Sequence, residues 1–196
     1  NAVTLLVYGA MAPVFFLLVL QLQVVSGWSP LAAGAATIPA TILLLALSGV
    51  SGNQSSRIGP RLQMTVGPLL CAGGTLLAMR IGDDNALVVV LLAMIVFGLG
   101  LAVFVAPLTA TALNSVSSSR AGIASGVNNA VARTAALLAI AAIPVLGGLG
   151  GDALDDPVAF SAGFAQAMVI CAAVFAAGGV LAWATIRRPQ SSQPPR

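Results

Sequence analysis

The chain has 196 residues, 59% hydrophobic and 7% charged, where a soluble domain carries about 45–50% apolar and about 25% charged residues. Eight arginines and five aspartates make up its formal charge, with no Lys, Glu or His, too few to coat a water-soluble globule, so the composition excludes a soluble fold. The net charge of +3 is scattered along the chain, which argues against nucleic acid as a partner, and the lack of histidine removes imidazole metal sites and His-activated nucleophiles.

A membrane-crossing helix needs about 20 apolar residues at about 1.5 Å each. The first charge is Arg57, so the first 56 residues are too long for one crossing, and Ser26-Gly27-Trp28-Ser29-Pro30 supplies the break between spans at 2–25 and 31–50. Further spans are predicted at 62–79, which is short, 86–112, 122–146 and 159–186. The runs are continuous and do not alternate in ten-residue segments, which excludes a membrane barrel. The expected fold is all-α: a polytopic membrane protein of six transmembrane helices. Residues 187–196 are polar and Pro-rich and read as a disordered tail. Cys71 and Cys171 sit in apolar runs without disulfide or metal-ligand spacing and read as packing residues; no metal or cofactor is expected.

If loops alternate sides, Arg57, Arg61, Arg120, Arg187, Arg188 and Arg196 share one side with no acid. Asp83, Asp84, Asp152, Asp155 and Asp156 fall opposite, with Arg80. The positive-inside rule then places the arginine side, with the C-terminus, in the cytoplasm of a cell membrane. The first span would start there, yet the chain opens Asn1-Ala2-Val3-Thr4 without a start Met, a basic leader or a cleavage site. The expectation is a fragment preceded by an even number of spans.

Many of the 21 glycines and 11 prolines lie inside spans, among them Gly34, Pro39, Gly98, Gly100, Pro107 and Pro144. Glycine allows close helix approach and proline bends a helix. In the fifth span, Gly122, Ser125, Gly126, Asn129, Ala130, Arg133 and Ala136 fall within about 140° of arc, a small and polar face. Arg133 lies about 16 Å along the helix from Gly122. Inserting it at that depth costs at least about 2.5–3.5 kcal/mol, so it is expected to face the bundle interior or a watery cavity, with Asn129 one turn away as a partner. The competing reading has it snorkel to the interface as an anchor. Gln21, Gln23, Thr109, Thr111 and Asn114 are the remaining polar candidates for a substrate path, although each alone is more commonly a helix-packing hydrogen bond. No Asp lies inside a span, so a protonation site would have to lie outside this segment.

The stretch Gly52-Asn53-Gln54-Ser55-Ser56-Arg57-Ile58-Gly59-Pro60-Arg61 resembles the loop signature of the major facilitator superfamily, Gly-x-x-x-Asp-Arg-x-Gly-x-Arg. Gly52, Arg57, Gly59 and Arg61 match, and Ser56 stands in place of the Asp. Gly27-Trp28-Ser29-Pro30-Leu31-Ala32-Ala33-Gly34 with Pro39, and 121–130 with Arg133, are similar to the last six helices of the fourteen-span drug/proton antiporter branch. The resemblance implies one six-helix half of such a carrier, with inverted three-helix repeats. The first and fourth spans would line the path, the second and fifth would face the other half, and the third and sixth would face lipid. It further implies proton-coupled export of small amphipathic molecules by alternating access, with membrane lipid, substrate, protons and the N-terminal half as partners. Arg57, Gly59 and Arg61 would act in gating, and the small face of the fifth span would move against the other half. Two readings compete: a self-contained six-span channel or scaffold subunit, and an intramembrane serine protease suggested by Gly122-Ile123-Ala124-Ser125-Gly126, which the absence of His disfavours.

Overall fold

The computed structural model describes residues 1–82, 85–151 and 156–186. The predicted tail 187–196 and the residues Asp83, Asp84, Asp152 and Asp155 lie outside the described residues. The chain forms α1 (Ala2–Val24), α2 (Pro30–Ala35), α3 (Ile38–Ile58), α4 (Pro60–Ala78), α5 (Ala86–Leu113), a short 3₁₀ turn (Ser118–Arg120), α6 (Ala121–Leu146) and α7 (Pro157–Thr185). It is an all-α polytopic membrane protein. Among the described residues, five stretches can cross a membrane by length and composition: Ala2–Val24, Pro30–Ser55, Ala86–Leu113, Ser118–Leu146 and Pro157–Thr185. The third predicted span, α4, is 19 residues long and less apolar. Its polar Gln63 and Thr75 are buried where it packs along α5 and α7, so protein covers the groups that lipid would not tolerate.

The second span departs from the expected 31–50. It is interrupted at Ala36 and Thr37 and then continues to Ile58, so the expected loop from Gly52 onward is helical through Ile58. Nothing in Asn53-Gln54-Ser55-Ser56 breaks a helix outright. The break comes at Gly59, whose φ of +85° and ψ of 154° lie in a region essentially restricted to glycine. Pro60 then opens α4 at its first turn.

The helix contacts repeat. α1 packs on α6 and α7, α5 packs on α3 and α4, and α4 packs on α7. Exchanging the first triplet (α1, α2–α3, α4) with the second (α5, α6, α7) maps this pattern onto itself, as an inverted repeat requires. The two triplets show no convincing sequence match, but the burial pattern is the same at 61–72 and 161–172. Gln63, Met64, Gly67, Pro68, Cys71 and Ala72 are buried in α4. Gly163, Phe164, Ala167, Met168, Cys171 and Ala172 are their counterparts in α7. Cys71 and Cys171 are thus equivalent residues, both buried and unpaired, as packing residues should be.

Glycine sets the closest approaches. A methyl group added at Gly100 of α5 would lie 2.6 Å from Cys71 Sγ and 2.7 Å from the Gly67 carbonyl oxygen. One added at Gly98 would lie 2.6 Å from Ala40 Cα. Between these seams the Phe97 ring meets Phe15 and Phe175 edge-on, at centroid distances of 5.4 and 5.6 Å, which joins α1, α5 and α7 in one core.

Candidate functional site

The small face of α6 lies on the outside of the bundle. Gly122, Ser125, Gly126, Asn129 and Arg133 are all exposed, and nothing approaches within 4 Å of where a Cβ would stand on Gly122 or Gly126. The helix packs inward through a different face, burying Ala132, Ala135 and Ile143. Arg133 therefore does not face the interior of this chain's own bundle, one of the placements expected for it; it is exposed, and Asn129 makes no hydrogen bond to it. The inward polar residue is Asn128, whose Oδ1 accepts a hydrogen bond of 2.7 Å from the Thr4 hydroxyl of α1. Sequence reasoning missed it because Asn128 falls just outside the polar arc. The available signal was its spacing with Ala132, Ala135 and Ala139, at i+4, i+7 and i+11 on one helix face.

A second cluster stands where α3 turns into α4. Arg57, in the last turn of α3, is exposed and placed favourably for the negative end of that helix. Gly59 makes the turn. Arg61, in the first turn of α4, lays its guanidinium over the Trp183 ring of α7 at 4.9 Å, a cation–π contact that ties α4 to α7. Its Nε is buried without a hydrogen-bond partner. One turn further in, buried Gln63 donates from Nε2 to the Ser51 carbonyl at 3.0 Å, and the Ser51 hydroxyl donates to the Val103 carbonyl at 2.7 Å. This knot of α3, α4 and α5 was also missed, since neither Ser51 nor Gln63 shows a polar periodicity.

The path candidates divide. Gln21 is fully buried and donates to the Ile81 carbonyl at 3.2 Å and to the Ser161 hydroxyl at 3.3 Å, tying α1 to the end of α4 and to α7. Gln23 donates to its own helix at Val19. Thr109 and Thr111 donate to the carbonyls of Val105 and Pro107, and Asn114 caps α5. The structure does not bring these five together, and the side chains of Gln23, Thr109 and Thr111 are bonded within their own helices, so α1 and α5 offer a largely apolar wall. Among the described residues no group of His, Cys, Asp or Glu could hold a metal ion.

The exposed faces are informative in a bilayer. Only 17% of the most apolar stretch of the second span and of α6 is buried, against 50% in α1 and α5, yet these two are the least apolar of the five candidate spans. Lipid exposure demands the opposite. The molecule is a polytopic helical bundle whose second and fifth spans are its most exposed and least apolar candidate crossings among the described residues. The chain belongs to the Major Facilitator Superfamily, whose family model matches residues 2–140. It is 29% identical over 131 residues to the tetracenomycin C resistance and export protein of Streptomyces glaucescens, covering 67% of this chain and 24% of that protein. It is 30% identical over 109 residues to the multidrug resistance protein Stp of Mycobacterium tuberculosis, covering 56% of this chain and 20% of Stp. The matched segment thus spans about a quarter or less of these relatives' length.

Proposed function

We propose that this chain is the C-terminal half of a secondary active transporter that exports small amphipathic molecules against proton entry by alternating access. The observation that carries it is the inverse relation between exposure and apolarity in the second span and α6, whose open glycines and Arg133 fit a surface that slides against a second six-helix half. The names of the relatives support drug-like cargo, and the apolar wall of α1 and α5 suits amphipathic molecules. The reading has six crossings, α4 included, with the arginine-bearing turns and the C-terminus in the cytoplasm of the plasma membrane. The coupling carboxylate is supplied by the other half. Arg57 and Arg61 hold the cytoplasmic helix ends together in one state, Arg61 through Trp183. No residue acts as a catalyst.

The test is drug efflux from cells expressing the complete reading frame. Arg133→Ala should reduce efflux at least about tenfold at unchanged expression, the scale on which an intramembrane charge in a transport interface acts. Wild-type efflux by that variant would reject the assignment of this face.

A further inference from the structure

α3 and α6 are counterparts under the repeat, yet they are held differently. α3 is fixed at two places along its length. A methyl group added at Gly98 of α5 would lie 2.6 Å from Ala40 Cα. Further along, the Ser51 hydroxyl donates to the Val103 carbonyl at 2.7 Å, and Gln63 donates to the Ser51 carbonyl at 3.0 Å. The matching seam of α6 on α1 is looser: a methyl group at Gly9 would stand 3.7 Å from Ala135 Cβ, an ordinary van der Waals distance. Between α6 and α7 a groove of about 520 Å³ runs past Ala130, Thr134, Leu138 and Ala142, against about 320 Å³ for the groove between α3 and α4.

The tight contact of α6 is at its Gly147 end. There the Leu149 N–H donates to the Pro144 carbonyl at 2.8 Å and the Gly148 N–H to the Val145 carbonyl at 3.0 Å, the closed helix end that a glycine at positive φ permits, +83° at Gly148. This cap holds buried Leu149 against α7, where a methyl group added at Gly163 would lie 2.7 Å from Leu149 Cδ2 and 3.0 Å from the Gly147 carbonyl oxygen. Just before the cap, Pro144 has no N–H to offer the Ile140 carbonyl, which makes a joint in the helix. Beyond the joint the grip weakens. No residue of α6 before Ala132 is buried, and the Thr4–Asn128 hydrogen bond ties that half to α1.

We infer that α6 is a lever: pinned to α7 through Leu149 and Gly163, jointed at Pro144 and caught on α1 by the Thr4–Asn128 hydrogen bond, it swings relative to α7 while α3 stays fixed on α5. A close-packed seam has two discrete arrangements or none, because interdigitated side chains resist small displacements. The seam at Gly9 lacks that interlock, and the wide groove gives the helix room on one side. From Pro144 to Gly122 is about 33 Å of helix, so a swing of about 9° at the joint moves the free end by about 5 Å. The catch is one hydrogen bond between membrane helices, which biases two positions about threefold and does not lock either.

The test is double electron–electron resonance on the full-length protein in nanodiscs, spin-labelled at two exposed positions at a time. Ile123 with Thr185 reports the free end of α6 against α7, and Gln54 with Thr185 reports the equivalent end of α3. The first pair should give two populations about 5 Å apart, the second a single narrow one. Thr4→Val should deplete the population with the spacing of this structure about threefold relative to the other. Pro144→Ala, which restores the missing N–H, should merge the two into one, and Asn129→Ala should change nothing. A single population for Ile123 with Thr185 as narrow as that of Gln54 with Thr185, or a ratio unmoved by Thr4→Val, would overturn the lever. The readout is a distance measured without cargo, so the outcome stands apart from whether the protein exports drugs.

Discussion

α5 and α6 follow one another in the chain, have 28 and 26 residues and both carry glycine at close spacing, yet the same residue does opposite things in them. In α5, Gly98 and Gly100 are used up: Ala40 and Cys71 stand where a side chain would go. In α6, Gly122 and Gly126 face open space. Glycine marks where a helix is closely approached in α5, whereas in α6 no described residue of this chain makes use of it. The difference separates the glycines this bundle needs in order to fold from those the proposed sliding surface would use.

The sharpest way to break that contrast is a pair of alanine substitutions. Gly100→Ala should cost on the order of 2–3 kcal/mol, because Cβ would collide with Cys71 and with backbone that cannot yield cheaply. The measurement is thermal unfolding of the purified protein in detergent. Gly126→Ala should leave the melting temperature unchanged or raise it, through the roughly 0.5–1 kcal/mol by which alanine favours a helix over glycine, while lowering efflux. Equal destabilisation by the two would erase the distinction. Next in size is Gly59→Ala, which forces a side chain into a glycine-only conformation and should cost about 1–3 kcal/mol. It bears on the contrast because the Gly59 turn holds α3, the other exposed helix, against α4.

How much of this was legible in the sequence follows the physics of each signal. Long apolar runs gave the helices and their order, since lipid permits little else. The small face of the fifth span was legible because its period is that of a helix. Its orientation was not: periodicity locates a face and cannot say whether the neighbour lies in the same chain, so Arg133 was expected inside and stands outside. The turn at 52–61 was misplaced because polar residues suggest a loop, whereas only Gly59 and Pro60 stop the backbone. The repeat was hidden for a related reason. The shared packing fixes which positions are buried but not the residues that fill them, so 61–72 and 161–172 share a pattern of exposure while Gln63 answers to Gly163, Met64 to Phe164 and Pro68 to Met168. Gln63 and Ser51 were invisible because single polar residues carry no period.

The smallest expected effect lies where α6 does belong to this bundle. The Thr4 hydroxyl donates to Asn128 at 2.7 Å, one residue before the outward-facing Asn129. Hydrogen bonds between membrane helices average about 0.6 kcal/mol, because the separated helices also find partners. Thr4→Val keeps the shape and removes the donor, so it should lower stability by about that amount and shift the melting temperature by a degree or two. Asn129→Ala, which removes no contact within the bundle, should not shift it at all. The two asparagines then report on the two sides of one helix. If Asn129→Ala proved the more destabilising, the outward face of α6 would already be engaged within this chain, and the division between packed and presented glycines would have to be redrawn.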